Sequence, residues 1–244
     1  MKEEKHQMIV LPCVGSTNDE LKKMARGGAP HGTVLVAKRQ TNGRGRLGRS
    51  FASPEKGLYM SVLLRPDGPA EKLPTLTPCA ALAVRRALRR VCGTETDIKW
   101  PNDLLVNGKK LCGILTEGVV DTHGAAAVVG IGINVNTDEE ELPQELSGTV
   151  CSVLGTTGRE TDIMSLASAV TEELEKIVAL WETDDPALLE EYRAACVSLG
   201  RDCYILRGEE RVPARVCAVA DDFSLIVDTP SGVERVFFGE LVFA

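Results

Sequence analysis

An arginine–glycine segment is the strongest chemical signal in the sequence. Residues 43–49 read Gly-Arg-Gly-Arg-Leu-Gly-Arg, and the chain from Lys38 to Arg49 carries five cations and no acid. Glycines let a backbone approach a ligand closely, and arginine guanidinium groups bind phosphate or carboxylate through paired hydrogen bonds. The segment is therefore typical of a loop that binds a small anionic ligand.

Three other interpretations of this segment remain open. Its glycines match G-x-G-x-x-G, the phosphate-binding fingerprint of dinucleotide-binding folds, but that fingerprint opens a helix, which Pro54 and Gly57 disfavour here. An arginine–glycine segment that binds RNA is usually longer and repeated. The third alternative is a solvated basic loop.

Several polar residues outside this segment each have two interpretations. Ser16 and Thr17 begin a predicted helix, in which Thr17 and Glu20 have the capping-box spacing, so they either cap the helix or face a ligand. Asn102 and Asp103 follow a proline, where a turn is favoured. Each pair of residues is compatible with a purely structural role and with a role in binding a ligand.

Lys110 follows an Asn-Gly pair that predicts a tight hairpin turn. It is either an ordinary hairpin lysine or a cation directed into a site.

The sequence gives less support to metal-dependent or nucleophilic catalysis. The three histidines show no metal-ligand spacing, the eight cysteines form no C-x-x-C pair, and no Ser/His/Asp or Cys/His arrangement is recognisable. We expect free thiols and no metal site.

The composition is that of an ordinary globular protein. The chain has 244 residues, of which 43% are hydrophobic and 26% charged, and its net charge is −7. This charge argues against a general nucleic-acid binder. No run approaches the 18 apolar residues of a membrane span, and the N-terminus lacks an apolar signal core. We expect a cytoplasmic protein.

The hydrophobic pattern predicts an α/β region that positions these residues. Residues 40–57 and 136–160 are predicted loops. Helices are predicted at 16–26, 73–92, 162–182 and 186–195, and strands at 33–38, 58–64, 97–100, 103–106, 109–115 and 125–135.

From residue 200 the pattern changes to short alternating segments separated by turns, which is typical of a small antiparallel barrel. These segments are 202–206, 212–220, 224–228 and 233–238. We therefore expect a first domain at 1–196 and a barrel at 197–244.

Taken together, the motifs resemble those of biotin protein ligases, also called biotin–[acetyl-CoA-carboxylase] ligases. In chain order they are Ser16-Thr-Asn18, Gln40, the arginine–glycine segment, Lys-Trp-Pro-Asn-Asp at 99–103, Gly-Lys-Lys-Leu-Cys-Gly-Ile at 108–114 and Gly-Ile-Gly-Ile-Asn-Val at 130–135. The resemblance covers nearly the whole chain. It implies an α/β catalytic domain, built on a mixed sheet with helices on one side, followed by an SH3-like β-barrel. Because the first motif ends at Asn18, it also implies the class without an N-terminal DNA-binding domain.

The chemistry implied by this resemblance has two steps. The carboxylate of biotin attacks the α-phosphate of ATP, which yields biotinyl-5′-AMP and pyrophosphate, and Mg²⁺ is expected to accompany ATP. A lysine amine of the biotin carboxyl carrier protein of acetyl-CoA carboxylase then attacks the adenylate, and AMP leaves. The resemblance allows a homodimer, and no DNA or membrane partner is expected.

The resemblance also implies roles for particular residues. Biotin would be bound by Ser16, Thr17, Asn18, Gln40, Arg44, Gly45, Arg46 and Lys110. The nucleotide would be bound by Arg44, Arg46, Arg49, Phe51, Asn102 and Asn134. The catalytic candidates are Lys110, Arg46 and Asp103.

Two details of the nucleotide site follow from the same comparison. Phe51 stands where some members carry tryptophan, so stacking on adenine is expected to be weaker. Gly130 and Gly132, which precede Asn134, are expected to let the strand approach the base.

Two other functions fit part of the pattern. A lipoate–protein ligase shares the core fold and the adenylate chemistry, but the arginine–glycine segment and the barrel favour biotin. A biotin-sensing regulator of transcription is disfavoured by the expected lack of a DNA-binding domain and by the negative net charge.

Overall fold

A seven-stranded mixed sheet forms the centre of the computed structural model, which describes residues 8–121, 124–208 and 210–244. Its strands are β1 (Met8–Leu11), β2 (Val34–Ala37), β3 (Leu58–Leu64), β4 (Asp97–Lys99), β5 (Asp103–Val106), β6 (Lys109–Asp121) and β7 (Gly124–Ile133). Their order across the sheet is β1-β2-β3-β7-β6-β5-β4. β1 and β2 are parallel, and the other neighbours are antiparallel.

Helices cover both faces of this sheet. They are α1 (Thr17–Arg26), α2 (Leu76–Cys92), α3 (Val153–Thr157), α4 (Ile163–Glu182) and α5 (Pro186–Ala195). α2 and α4 pack against the main core, which includes Met60 and Val62 of β3. α1 packs in a second cluster with Leu63 of the same strand. The expectation of helices on one side was therefore wrong, because β3 is buried on both faces and both are covered by helices.

A second, five-stranded antiparallel sheet follows the helices. Its strands are β8 (Asp202–Arg207), β9 (Glu210–Val219), β10 (Leu225–Thr229), β11 (Gly232–Val236) and β12 (Glu240–Phe243), in the order β11-β10-β9-β8-β12. The sequence pattern missed β12, and it also missed β1 in the first sheet. Apolar side chains of both sheets join one core, and Trp100, which belongs to this core, donates from its indole N–H to the Phe223 carbonyl. The boundary at residue 196 remains a prediction.

Other predicted elements differ from the structure at their ends. The predicted helix at 73–92 begins as a 3₁₀ helix (Ala70–Thr75) that contains Pro74 and continues as α2. The predicted loop at 136–160 contains the short helix α3. None of the eight cysteines forms a disulfide within the part of the chain that the structure describes. In the described part of the chain, no helix combines the length and the hydropathy needed to cross a bilayer.

Candidate active site

An open cleft of about 920 Å³ lies where the first sheet, the arginine–glycine segment and β12 meet. Every residue in the predicted site lines this cleft except Asn134. These lining residues are Ser16, Thr17, Asn18, Gln40, Arg44, Gly45, Arg46, Arg49, Phe51, Asn102, Asp103 and Lys110. Lys99 and Glu240 also line it, and sequence reasoning did not single them out.

One end of the cleft is formed by the start of α1. The side-chain oxygen of Gln40 accepts a hydrogen bond from the Thr17 backbone N–H at 2.8 Å and lies 3.1 Å from the Thr17 hydroxyl. Ser16 is the N-cap residue, but its side chain makes no capping hydrogen bond. The predicted capping box of Thr17 and Glu20 was therefore wrong, because the Thr17 hydroxyl has tertiary partners in Gln40 and Ser61.

Asn18 is held by the protein through both ends of its amide. Its oxygen accepts from the Ser61 hydroxyl at 2.6 Å. Its nitrogen donates to the Leu115 carbonyl at 3.1 Å and to the Glu117 carboxylate at 2.9 Å. Both N–H donors of the amide are used, and its oxygen accepts one bond, so the geometry makes Asn18 a support of the pocket wall.

Ser61 and Glu117 are functional candidates that sequence reasoning missed. Ser61 is fully buried, and its small polar side chain lies between apolar neighbours in β3. That exception to the pattern was the available signal, because a buried hydroxyl needs a partner. Glu117 binds Lys22 at 2.9 Å and Arg44 at 3.2 Å, so it links α1 to the arginine–glycine segment.

The glycines of β7 accommodate side chains of this chain. A Cβ on Gly130 would overlap the Asn18 side chain, and a Cβ on Gly132 would lie 2.6 Å from the Phe51 ring. Phe51 also packs edge-on against Tyr59, with ring centroids 6.3 Å apart. Asn18 and Phe51 occupy the space above these two glycines. The approach of this strand to adenine remains a prediction.

Asn134 is the predicted site residue that the structure does not bring to the cleft. It directly follows β7, and its amide nitrogen donates to the Cys151 carbonyl at 3.0 Å. Its amide oxygen is buried and has no hydrogen-bond partner among residues 8–121, 124–208 and 210–244. The side chain ties the segment before α3 to the end of β7, while its amide oxygen is left able to accept a hydrogen bond. The predicted contact of Asn134 with adenine remains a prediction.

The arginine–glycine segment folds as a small hairpin. The Gly45 N–H donates to the Arg49 carbonyl at 2.7 Å, and the Phe51 N–H donates to the Gly43 carbonyl at 2.9 Å. The arginine side chains have separate partners. Arg44 pairs with Asp19 at 2.7 Å and with Glu117, Arg46 donates to the Asn102 side-chain oxygen at 3.0 Å, and Arg49 pairs with Glu240 of β12 at 2.6 Å.

Burial lowers the pKa of the Arg46 guanidinium, although nearby Asp103 and Glu240 offset part of this effect. Both carboxylates line the same cleft as the arginine–glycine segment.

A β-bulge places Lys110 in the cleft. Leu104 pairs with Cys112, but Leu105 pairs with Lys110, so Leu111 has no partner in the β5–β6 register. One extra residue reverses the alternation of side chains between the two faces. Lys110 therefore shares a face with Gly113, and its ammonium reaches Asp103 at 2.8 Å.

Comparison with known proteins identifies the family. The model of the biotin/lipoate A/B protein ligase family matches residues 10–134, which include the arginine–glycine segment and the Lys110–Asp103 pair. The chain belongs to this family. The biotin–[acetyl-CoA-carboxylase] ligase of Mycobacterium tuberculosis is 33% identical over 97% of this chain and 88% of its own length. The bifunctional ligase/repressor BirA of Bacillus subtilis is 34% identical over 96% of this chain and 73% of its own.

A solved ligase structure extends the match to the whole fold. The biotin protein ligase from Aquifex aeolicus, in complex with biotin and ATP, superimposes with a TM-score of 0.83 at 30% identity and covers 98% of both chains. The predicted fold class is confirmed, since this match includes both the mixed sheet and the C-terminal antiparallel sheet, whose arrangement is compatible with an SH3-like barrel.

The cleft of this ligase-family protein is positively charged although the whole chain is acidic. Five cations and two carboxylates line it, whereas the net charge of the protein is −7. The cations are Arg44, Arg46, Arg49, Lys99 and Lys110, and the carboxylates are Asp103 and Glu240. Such a local excess of positive charge attracts anionic ligands.

Gly130→Ala is expected to lower the free energy of unfolding by about 2–4 kcal/mol, because overpacking is combined with the loss of hydrogen bonds to Asn18. Asn18 cannot move aside without breaking its bonds to Ser61 and Glu117. Equilibrium urea unfolding measures the change. Gly118→Ala is the matched control, because a Cβ there meets open space. Equal stability of the two variants would contradict the proposed packing.

Proposed function

We propose that this protein is a biotin–protein ligase that uses ATP to attach biotin to a lysine of a carrier protein through biotinyl-5′-AMP. One observation carries the proposal: a polar pocket, an arginine hairpin and the Lys110–Asp103 pair share a single cleft. The reaction must bring a carboxylate and a triphosphate together, and a cleft with excess positive charge offsets their repulsion.

In this proposal the ureido ring of biotin lies at the start of α1. That ring has two N–H donors and one carbonyl acceptor, which suit the Ser16 and Thr17 hydroxyls and the Gln40 amide. Gln40 is oriented by Ser53, to which it donates at 2.9 Å. Asn18 supports this wall through its bonds to neighbouring strands.

The adenylation step takes place near Lys110. A carboxylate oxygen of biotin forms a bond to the α-phosphorus of ATP, and the bond from that phosphorus to pyrophosphate breaks. Arg44, Gly45 and Arg46 bind the carboxylate and the α-phosphate, while the Lys110 ammonium stabilises the charge that develops between them. Arg49, Phe51 and Asn102 contact the nucleotide.

Mg²⁺ is expected to enter with ATP as part of the substrate. No three His, Cys, Asp or Glu side chains in the described residues are grouped as a metal site. Asp103 and Glu240 are the carboxylates that line the cleft, and each is paired with a cation.

The transfer step requires no protein nucleophile. The carrier lysine amine attacks the acyl carbon of the adenylate, the acyl–oxygen bond breaks, and AMP leaves. Asp103 lies on the cleft wall, where it can orient the incoming amine. The Mycobacterium tuberculosis relative is named a biotin–[acetyl-CoA-carboxylase] ligase, which supports acetyl-CoA carboxylase as the acceptor. We propose that the biotin carboxyl carrier protein of that enzyme carries the modified lysine.

Exchange of labelled pyrophosphate into ATP tests the proposal, with biotin and lipoate assayed in parallel. We expect exchange that depends on biotin and magnesium. Exchange with lipoate but not with biotin would identify the protein as a lipoate–protein ligase. If folded protein exchanges no pyrophosphate with either biotin or lipoate, the adenylation chemistry is refuted. Addition of a purified biotin carboxyl carrier domain then tests transfer, with mass spectrometry as the readout.

A further inference from the structure

Lys99 differs from the other cations of the cleft. Arg44, Arg46, Arg49 and Lys110 each have a carboxylate or amide partner. Lys99 has no hydrogen bond or ion pair with any residue that the structure describes. Its ammonium lies 5.1 Å from the centre of the Phe243 ring, a contact that supplies no counter-charge.

The sheet directs Lys99 into the cleft. Ile98 points into the main core, so Lys99 projects from the opposite face of β4. Its partner in the β4–β5 register is Asp103. Burial lowers the pKa of Lys99, Asp103 and Glu240 offset part of that effect, and Lys110 and Arg49 reinforce it. A partly desolvated ammonium without a paired anion is costly, and a bound anion would relieve that cost.

The order of strands gives the cleft a direction. Gly130 and Gly132 lie on β7, Lys110 on β6, Asp103 on β5 and Lys99 on β4, and these strands are consecutive neighbours. Neighbouring strands are about 4.8 Å apart, so β4, which carries Lys99, lies roughly 14 Å from β7 and about 10 Å from β6, which carries Lys110. Asn18 lies against β7, at the other end of the cleft. A triphosphate whose α-phosphorus lies at Lys110 can reach the Lys99 side chain with its outer phosphates.

We infer that Lys99 binds the β- and γ-phosphates of ATP and holds pyrophosphate as it leaves. This inference rests on the proposed function, because it takes the α-phosphate to lie near Lys110. When the bond between the α-phosphorus and the bridging oxygen breaks, the electron pair stays on that oxygen and negative charge grows on the leaving group. The Lys99 ammonium offsets this charge without transferring a proton.

The test compares two nucleotides that differ in their outer phosphates. α,β-Methylene-ATP keeps the β- and γ-phosphates but cannot release them, and AMP lacks them. Affinities for both are measured by calorimetry on the full chain, saturated with biotin and with Mg²⁺ present. Lys99→Met is expected to weaken α,β-methylene-ATP binding about 10- to 100-fold, as for a lost hydrogen bond to a charged group, and to leave AMP binding unchanged.

Two further variants keep the test interpretable. Lys99→Arg retains the charge and is expected to restore most of the affinity for α,β-methylene-ATP, with the loss of binding at alkaline pH moved to higher pH because arginine stays protonated. Lys38→Met, at an exposed position after β2, is expected to match the parent for both nucleotides. Thermal unfolding confirms that each variant is folded.

Other patterns of loss would overturn the inference. Equal weakening of AMP and α,β-methylene-ATP would place Lys99 at the α-phosphate. Unchanged binding of both nucleotides, with slower transfer of biotin from preformed adenylate to the carrier, would assign Lys99 to the carrier side. The two proposals can fail separately. If the parent protein shows no biotin-dependent exchange, the ligase function is refuted. If Lys99→Met still selectively weakens binding of α,β-methylene-ATP in that case, the phosphate subsite remains supported.

Discussion

Lys110→Ala is expected to slow biotin-dependent adenylate formation by about 10²- to 10³-fold, the effect of removing one group that stabilises developing charge. The bulge at Leu111 places this ammonium beside Asp103 on the cleft wall. The fold is expected to remain intact, because the ion pair is partly exposed and such pairs contribute about 1 kcal/mol or less. Initial rates of labelled pyrophosphate exchange measure the loss.

Lys109→Ala is the matched control for this variant. Lys109 precedes Lys110 in β6, but it does not line the cleft. We expect the control to exchange pyrophosphate at the rate of the parent. An unaltered initial rate in Lys110→Ala would remove Lys110 from the catalytic residues, and equal losses in both variants would indicate a structural effect on the hairpin.

Arg46→Ala is expected to release biotinyl-5′-AMP about 10- to 100-fold faster than the parent, as for the loss of one charge-assisted hydrogen bond. Arg46 connects the arginine hairpin to Asn102 on the opposite wall, so its loss frees the hairpin from the β4–β5 turn. The escape of labelled adenylate from preloaded protein, followed by rapid gel filtration, measures the rate.

Arg39→Ala controls for the removal of a positive charge near the segment. Arg39 is exposed and does not line the cleft, so its variant is expected to retain the adenylate as the parent does. An Arg46→Ala protein that holds the intermediate as long as the parent would contradict the retention role. If Arg39→Ala leaked equally, general electrostatic attraction would explain the retention.

Much of the local structure could be predicted because its signals lie within a few residues of each other. The Asn107-Gly108 pair predicts a tight turn, and both residues adopt the positive φ angles, 50° and 79°, that such a turn requires. The apolar run at 125–135 predicts an interior strand, and β7 is paired with β3 on one side and with β6 on the other. The family resemblance, which rests on short motifs, selected site residues that all line the cleft except Asn134.

The sequence pattern could not determine which face each side chain takes or which distant partner it meets. A single unpaired residue, Leu111, decides that Lys110 shares the cleft face with Gly113, because strand side chains alternate with a period of two.

Contacts between residues far apart in the chain could not be predicted from the sequence pattern either. Thr17 meets Ser61 rather than a helix cap, and Arg49 meets Glu240 across 191 residues of chain. The sequence by itself determined the turns, the apolar strands and the chemical types of the site residues, since these depend on near neighbours. The tertiary structure alone decided the orientation of Lys110, the supporting role of Asn18 and the lack of an ion-pair partner for Lys99 among the described residues, because packing between distant segments sets these features.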